Sequence, residues 1–130
     1  MESVDRGPEQ PIEALLEQLD LSRAADLATL HARHGSELAT ALRAALEALD
    51  GQQRALLVHS LVTGTTIDRI GEIYGVQRPT TVRWLTGARD ALSNQLRREV
   101  ASRLALPLEE LYAIVREVRS RIDIALLRIL

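Results

Sequence analysis

The chain has no cysteine, no phenylalanine and no lysine, and only 2% of its 130 residues are aromatic, namely Tyr74, Trp84 and Tyr112. Each absence removes a class of protein. Without thiols there are no disulfides, no zinc fingers and no cysteine nucleophile. The sequence also lacks a signal peptide and any apolar run long enough to span a bilayer, so the expectation is a cytoplasmic protein with no membrane partner. So few aromatic residues argue against a strand-rich fold, which favours aromatic and β-branched side chains. What is present is mainly Ala, Leu and Arg, all good helix formers. The length is that of one ordinary domain, and 46% hydrophobic residues suffice for a core. These features predict an all-α compact helical bundle.

The net charge of −2 is the sum of unlike segments. Residues 1–50 carry a net charge of −6, residues 51–75 and 104–130 are balanced, and residues 76–103 carry +4 from six arginines against Asp90 and Glu99. A positive block of this kind attracts a phosphate backbone, although a solvated helix face is the commoner meaning of a charge run.

Residues 1–11, with Gly7, Pro8 and Pro11 and little apolar content, read as a flexible acidic arm. Residues 12–49 read as an N-terminal helical linker segment. Its helices are expected over Glu13 to Leu19, Ser22 to Arg33 with Ser22 as N-cap, and Ser36 to Leu49 following Gly35. Asp50-Gly51 ends the last of these, and "QQRALLVHSLVTG" supplies an amphipathic helix closed by Gly64. A further long helix extends past Leu92 toward Pro107, and residues 105–130 form a C-terminal helix. In that helix Leu108, Leu111, Val115, Val118, Ile122, Ala125 and Ile129 alternate at spacings of three and four, a heptad seam that can pack on its own domain or pair with a partner, a homodimer included.

The segment from Thr65 to Leu92 is the informative one. Thr65 and Thr66 can cap a helix over Ile67 to Tyr74 whose buried side is Ile67, Ile70 and Ile73. Gly75 permits a sharp turn at positive φ, Val76 can fill the corner, Gln77 takes the N-cap position, and Pro79 falls in the first turn of a second helix. On that second helix Thr81, Leu85, Ala88 and Leu92 form an inward stripe, and Pro79, Arg83, Thr86 and Gly87 lie opposite. This is the pattern of a helix-turn-helix, whose second helix enters the major groove with its N-terminal residues on base edges. Arg78, Thr80, Val82, Arg83 and Thr86 are the base-facing candidates. Thr65, Thr66, Arg69, Arg89 and the backbone amides of the first helix are the candidates for phosphate contacts.

The stretch "LEALDGQQRALLVHSLVTGTTIDRIGEIYGVQRPTTVRWLTGARDAL" resembles region 4 of bacterial sigma factors, of the sigma-70 superfamily and its extracytoplasmic-function group. The shared pattern is a helix, a short capped helix and a recognition helix ending in Ala88, Arg89 and Leu92. The likeness is greatest to a myxobacterial-type subgroup with an Arg-Trp-Leu triplet, here Arg83-Trp84-Leu85, and a closing "SRIDIALLRIL". With the upstream "DLATLHARHGSELATALRAALEAL" the resemblance extends over roughly residues 24–130. It implies that residues 50–104 form a helix-turn-helix domain binding the −35 promoter element in double-stranded DNA. It also implies that another surface holds the β flap of core RNA polymerase, with Leu56, Leu57, Leu61 and Val62 contributing where they are not buried.

Three departures qualify what the resemblance implies. No region 2 is present, so the chain is expected not to start transcription by itself and to need a partner bearing region 2; an anti-sigma factor is the other regulatory partner implied. Arg69 stands where the family often has Glu, which removes a capping-box partner for Thr66. Gly87 replaces a frequent Arg, at a cost of about 1 kcal/mol in helix propensity relative to Ala.

Other readings are a stand-alone helix-turn-helix regulator dimerising through the C-terminal seam and a protein-interaction module without DNA binding. An enzyme is not expected. His31 and His34 have no predicted acidic neighbour beyond Glu37, His59 lies within an apolar run, and no nucleophile constellation, phosphate loop, metal set or cofactor motif stands out.

Overall fold

A computed structural model describes the backbone of residues 9–130 and the side chains of residues 12–130. The expected arm over residues 1–8 therefore lies outside the described residues, while residues 9–11 open the first helix. The elements are α1 (Glu9–Gln18), two 3-10 turns (Leu21–Arg23 and Ala25–Leu27), α2 (Ala28–Glu47), α3 (Gly51–Leu57) running into a π turn (Val58–Val62), α4 (Ile67–Tyr74), α5 (Arg78–Arg103) and α6 (Leu108–Arg128). No strand occurs among the described residues, and the chain is an all-α bundle. No helix among them is long and apolar enough to cross a membrane.

One hydrophobic core runs from Ile12 to Ile129. The upstream segment, read from sequence as a linker, supplies Leu15, Leu19, Leu27 and Leu46, each at most 1% exposed. Burial at this level is worth about 1.5–3 kcal/mol for each leucine, so α1 and α2 are part of the body that supports the later helices. Both α2 and α3 pack on α5, the longest helix.

One local expectation is corrected, one is met by a kink, and one gains a π turn. Ser22 does not cap a long helix. Its N–H and Oγ both donate to the Asp20 carboxylate, at 2.9 and 2.8 Å, and Asp20 caps a single 3-10 turn. The expected break before Gly35 is present as a kink, since α2 is two helical segments joined at His34, whose φ of −133° and ψ of 20° are not helical. Leu30 and Leu38, on either side of the kink, are both buried in the core. The helix after Asp50 is interrupted by the π turn, in which the Thr63 N–H donates to the Val58 carbonyl at 3.0 Å before Gly64 turns at φ 63°.

Asp50 starts α3 as well as following α2. Its carboxylate accepts from the Gln53 N–H at 2.8 Å while the Gln53 side chain accepts from the Asp50 N–H at 3.1 Å, a reciprocal capping box. Farther on, α5 ends at Arg103, and Pro107 immediately precedes α6. The α6 seam packs within its own chain. Leu111, Val118, Ile122, Ala125 and Ile129 are buried, Val115 is half-buried, and only Leu108 is mostly exposed.

Candidate nucleic-acid interface

The geometry of α4 and α5 begins at Thr66, whose hydroxyl accepts from the Arg69 N–H at 3.2 Å and caps α4. At the other end Gly75 takes a left-handed conformation (φ 70°, ψ 36°). Its N–H reaches the Glu72 carbonyl at 3.3 Å, and the Val76 N–H reaches the Gly71 carbonyl at 2.9 Å. The paired bonds form a Schellman motif, which stops the helix and fixes the direction of the chain leaving it. Gly71 is needed for closeness rather than for φ. A Cβ there would lie 2.8 Å from the Val76 carbonyl oxygen and 3.1 Å from Thr81 Oγ1, so α4 and α5 meet where no side chain fits.

The inner sides of both helices follow from this contact. Thr81, Leu85, Ala88 and Leu92 are all buried, and the Thr81 hydroxyl satisfies itself on the Gln77 carbonyl at 3.3 Å. Ile67 and Ile70 are buried on α4. Ile73 is not, being 47% exposed, and Gly71 and the half-buried Tyr74 take its place. Tyr74 stands edge-on between His59 and Trp84, at ring-centroid distances of 6.1 and 5.9 Å, linking the π turn through α4 to α5. Partial burial lowers the pKa of His59 and raises that of Tyr74.

The outward candidates separate into three groups. Arg78 and Arg83 lie on open surface at the start of α5. Arg78 is bridged to Asp68 of α4 at 2.8 Å, and Arg83 donates to the Thr80 hydroxyl at 3.3 Å and has no carboxylate partner among the described residues. Val82 and Thr86 stand on the flank of α5 that faces the end of α6, where with Ile67, Leu126, Leu127 and Leu130 they line an apolar cleft of about 280 Å³. The third group is already engaged. Arg69 pairs with Glu72 at 3.0 Å, and the Thr65 hydroxyl shares a 2.7 Å hydrogen bond with Thr63. The Ile67 N–H at the start of α4 donates to the Ile129 carbonyl at 2.9 Å, so this backbone donor of the expected phosphate site is spent on the end of α6.

Arg89 is the clearest correction among the site residues. Its side chain is 19% exposed and bridges Asp123 of α6 at 2.7 Å and Asp90 at 3.0 Å. The hydrogen bond it donates to Asp123 raises its pKa, with Asp90 adding to the effect. This guanidinium joins α5 to α6 and is not free to meet a phosphate. Leu56 and Leu57 are a second correction. They are 1% and 0% exposed, so a polymerase contact could use only Leu61, half-buried, and Val62, 36% exposed.

Two further arginines, Arg97 and Arg98, are exposed on α5 and make no ion pair among the described residues. Helical geometry puts Arg97 about 40° around the axis from Arg83 and about 21 Å along it. Their signal was the charge of residues 76–103, which did not distinguish them from the engaged arginines. No protein-family model, curated protein or solved structure matches the chain.

Proposed function

We propose that the chain is a DNA-binding module of the sigma region 4 type, serving transcription initiation or its regulation. The start of α5 enters the major groove at a −35-type element, and the surface around Leu61 and Val62 meets the β flap of RNA polymerase. The observation that carries the reading is Arg83, an exposed arginine without an acidic partner on the open side of a helix whose start is set by a capped α4, a Schellman turn and a close glycine contact. Arg suits bidentate recognition of guanine, and helix starts supply most base contacts in this geometry. Arg83 and Thr80 read bases. Arg78 joins them on exchanging Asp68 for DNA, a small cost because an exposed ion pair is worth about 0–1 kcal/mol. Arg97 and Arg98 extend the positive surface toward phosphates.

The test is selection from randomised duplexes, followed by affinity measurements across a salt series and retention on purified core polymerase. Affinity that falls with salt and is lost on charge reversal at Arg78 and Arg83 supports the reading. Binding indifferent to both removes the groove assignment, and failure of core polymerase to retain the chain removes the sigma-like half. A protein-interaction module without DNA binding is the second reading, favoured by Leu127 and Leu130, 68% and 64% exposed beside the cleft shared with Val82. It requires partner capture to survive both arginine reversals.

A further inference from the structure

A second cleft, of about 470 Å³, opens where the first 3-10 turn, the π turn and the end of α6 converge. Its polar lining is one-sided in charge: Arg23, Arg121 and Arg128 contribute to it, and no Asp or Glu does. The two acids nearby are already hydrogen-bonded, Glu117 to a cleft arginine. The Asp20 carboxylate holds both donors of Ser22, and Glu117 is bonded to Arg121 Nε at 2.9 Å.

Arg121 is held in advance of any ligand. It is half-buried, its Nε is fixed by Glu117, and its Nη1 donates to the Asp20 carbonyl, which leaves Nη2 unpartnered. Arg23 and Arg128 are exposed at the rim; neither makes an ion pair among the described residues, although Arg23 lies near enough to Asp20 to stabilise its charge. Thr63 and the π-turn residues Leu61 and Val62 form the facing wall. A π turn gives up regular helical bonding and recurs at functional sites. Here it lines the same cleft as the three arginines.

We propose that this cleft is a binding site for a small soluble phosphorylated compound. The phosphoryl oxygens lie between Arg121 and the rim pair Arg23 and Arg128, and the rest of the ligand rests on Leu61 and Val62. Arginine forks match phosphate oxygens, and a site with one guanidinium fixed beforehand loses little side-chain freedom on binding. The volume lies within the range of small-molecule sites. The site is separate from the Arg83 face; it shares Leu61 and Val62 with the proposed flap contact, so the ligand and the flap would compete for that wall, but pyrophosphate binding does not depend on the DNA-binding reading.

Inorganic pyrophosphate is the probe, titrated into the whole chain by calorimetry and by amide NMR at constant ionic strength, with sodium chloride as the matched control. The expected result is saturable binding with shifts confined to residues around Arg23, Thr63, Gly64, Arg121 and Arg128. Arg23→Ala with Arg128→Ala is expected to weaken it about tenfold or more, since a charged hydrogen bond is worth about one decade in affinity or better. Both substitutions are at exposed positions, and an unchanged melting temperature verifies that the double variant folds. Shifts equal to those from sodium chloride, or pyrophosphate affinity unchanged in the double variant, would overturn the proposal. So would a cleft that binds duplex DNA but not pyrophosphate, which would make these arginines part of a nucleic-acid surface.

Discussion

Arg83 and Arg89 are six positions apart on the same helix, inside the same positive segment, and the structure gives them opposite circumstances. Arg83 projects from α5 with a threonine hydroxyl as its only partner among the described residues, whereas Arg89 is sunk between Asp90 and Asp123. The difference comes from outside α5. Asp123 arrives on α6, 34 positions later in the chain, and its carboxylate converts an arginine of the expected phosphate surface into a tie between helices. Local charge thus attracts attention to a segment, but the element packed beside each arginine decides whether its charge is available.

The largest effect is expected from disturbing what the two arginines share, the placement of α5 on α4. Gly71→Val puts a branched side chain where even a Cβ would lie 2.8 Å from a backbone oxygen. Overpacking of this kind costs about 1–3 kcal/mol, and contact with backbone puts this case near the top of that range. Chemical denaturation should show the loss in stability, and duplex binding should fall with it. A variant with normal stability and lost binding would show that the close contact does not support the fold.

The arginines themselves should then separate stability from binding. Arg83→Ala is expected to weaken a selected duplex by about 1–3 kcal/mol and to leave stability within about 0.5 kcal/mol of the parent. Arg89→Ala should do the reverse. Removing one member of a fully buried ion pair costs about 3–5 kcal/mol, but Asp90 and Asp123 are each about half-exposed, so about 1–2 kcal/mol is expected here. Denaturation and anisotropy titrations on the same two variants make the comparison directly. Equal effects of both substitutions on either measurement would remove the distinction.

The sequence reading did best where neighbours in the chain decide the structure. The bounds of α4, the turn at Gly75 and the stripe Thr81, Leu85, Ala88 and Leu92 depend on caps, glycine and helical period, and all are found as expected. It failed where a remote group intervenes. Asp123 against Arg89, the Ile129 carbonyl on the Ile67 N–H and Asp20 beneath Arg121 join residues far apart in sequence, and periodicity carries no sign of such pairs. Leu56 and Leu57 entered the polymerase contact through the resemblance and only where not buried, and the core holds both.

A smaller change should sharpen the contrast from the acidic side. Asp68→Asn removes the carboxylate that engages Arg78 at 2.8 Å, leaving both arginines at the start of α5 without an acidic partner. Duplex affinity should rise by a few-fold at low salt, on the scale of about 0.5 kcal/mol for an exposed pair, and the gain should shrink as salt is added. Asp68 also lies in the first turn of α4, where negative charge favours the helix, so stability should fall by about 0.3–1 kcal/mol. A drop in affinity would mean that the pair positions Arg78 for DNA rather than withholding it.

The smallest effect concerns the inner support of the same surface, through His59. Burial of this ring against the edge of Tyr74 lowers its pKa below the ordinary 6.5, while its Nδ1 lies 3.4 Å from the Thr65 hydroxyl. The unfolded chain therefore takes up this proton at a higher pH than the folded chain does. The stability contribution of neutral His59 is complete above about pH 6.5 and is lost as pH falls through the lowered folded value. Melting temperatures between pH 8 and pH 5 should decline at the acid end, and His59→Gln, which cannot titrate, should decline less. Asp20 acts in a separate window: its pKa is lowered first by the Ser22 backbone hydrogen bond, so its contribution persists above about 3.8 and disappears only below that. Parallel melting curves for the parent and His59→Gln would show that the aromatic link behind α4 is indifferent to the charge of its histidine. In that case the line from the π turn to Trp84 is held by packing alone, and the open face of α5 should bind DNA equally at both ends of the range.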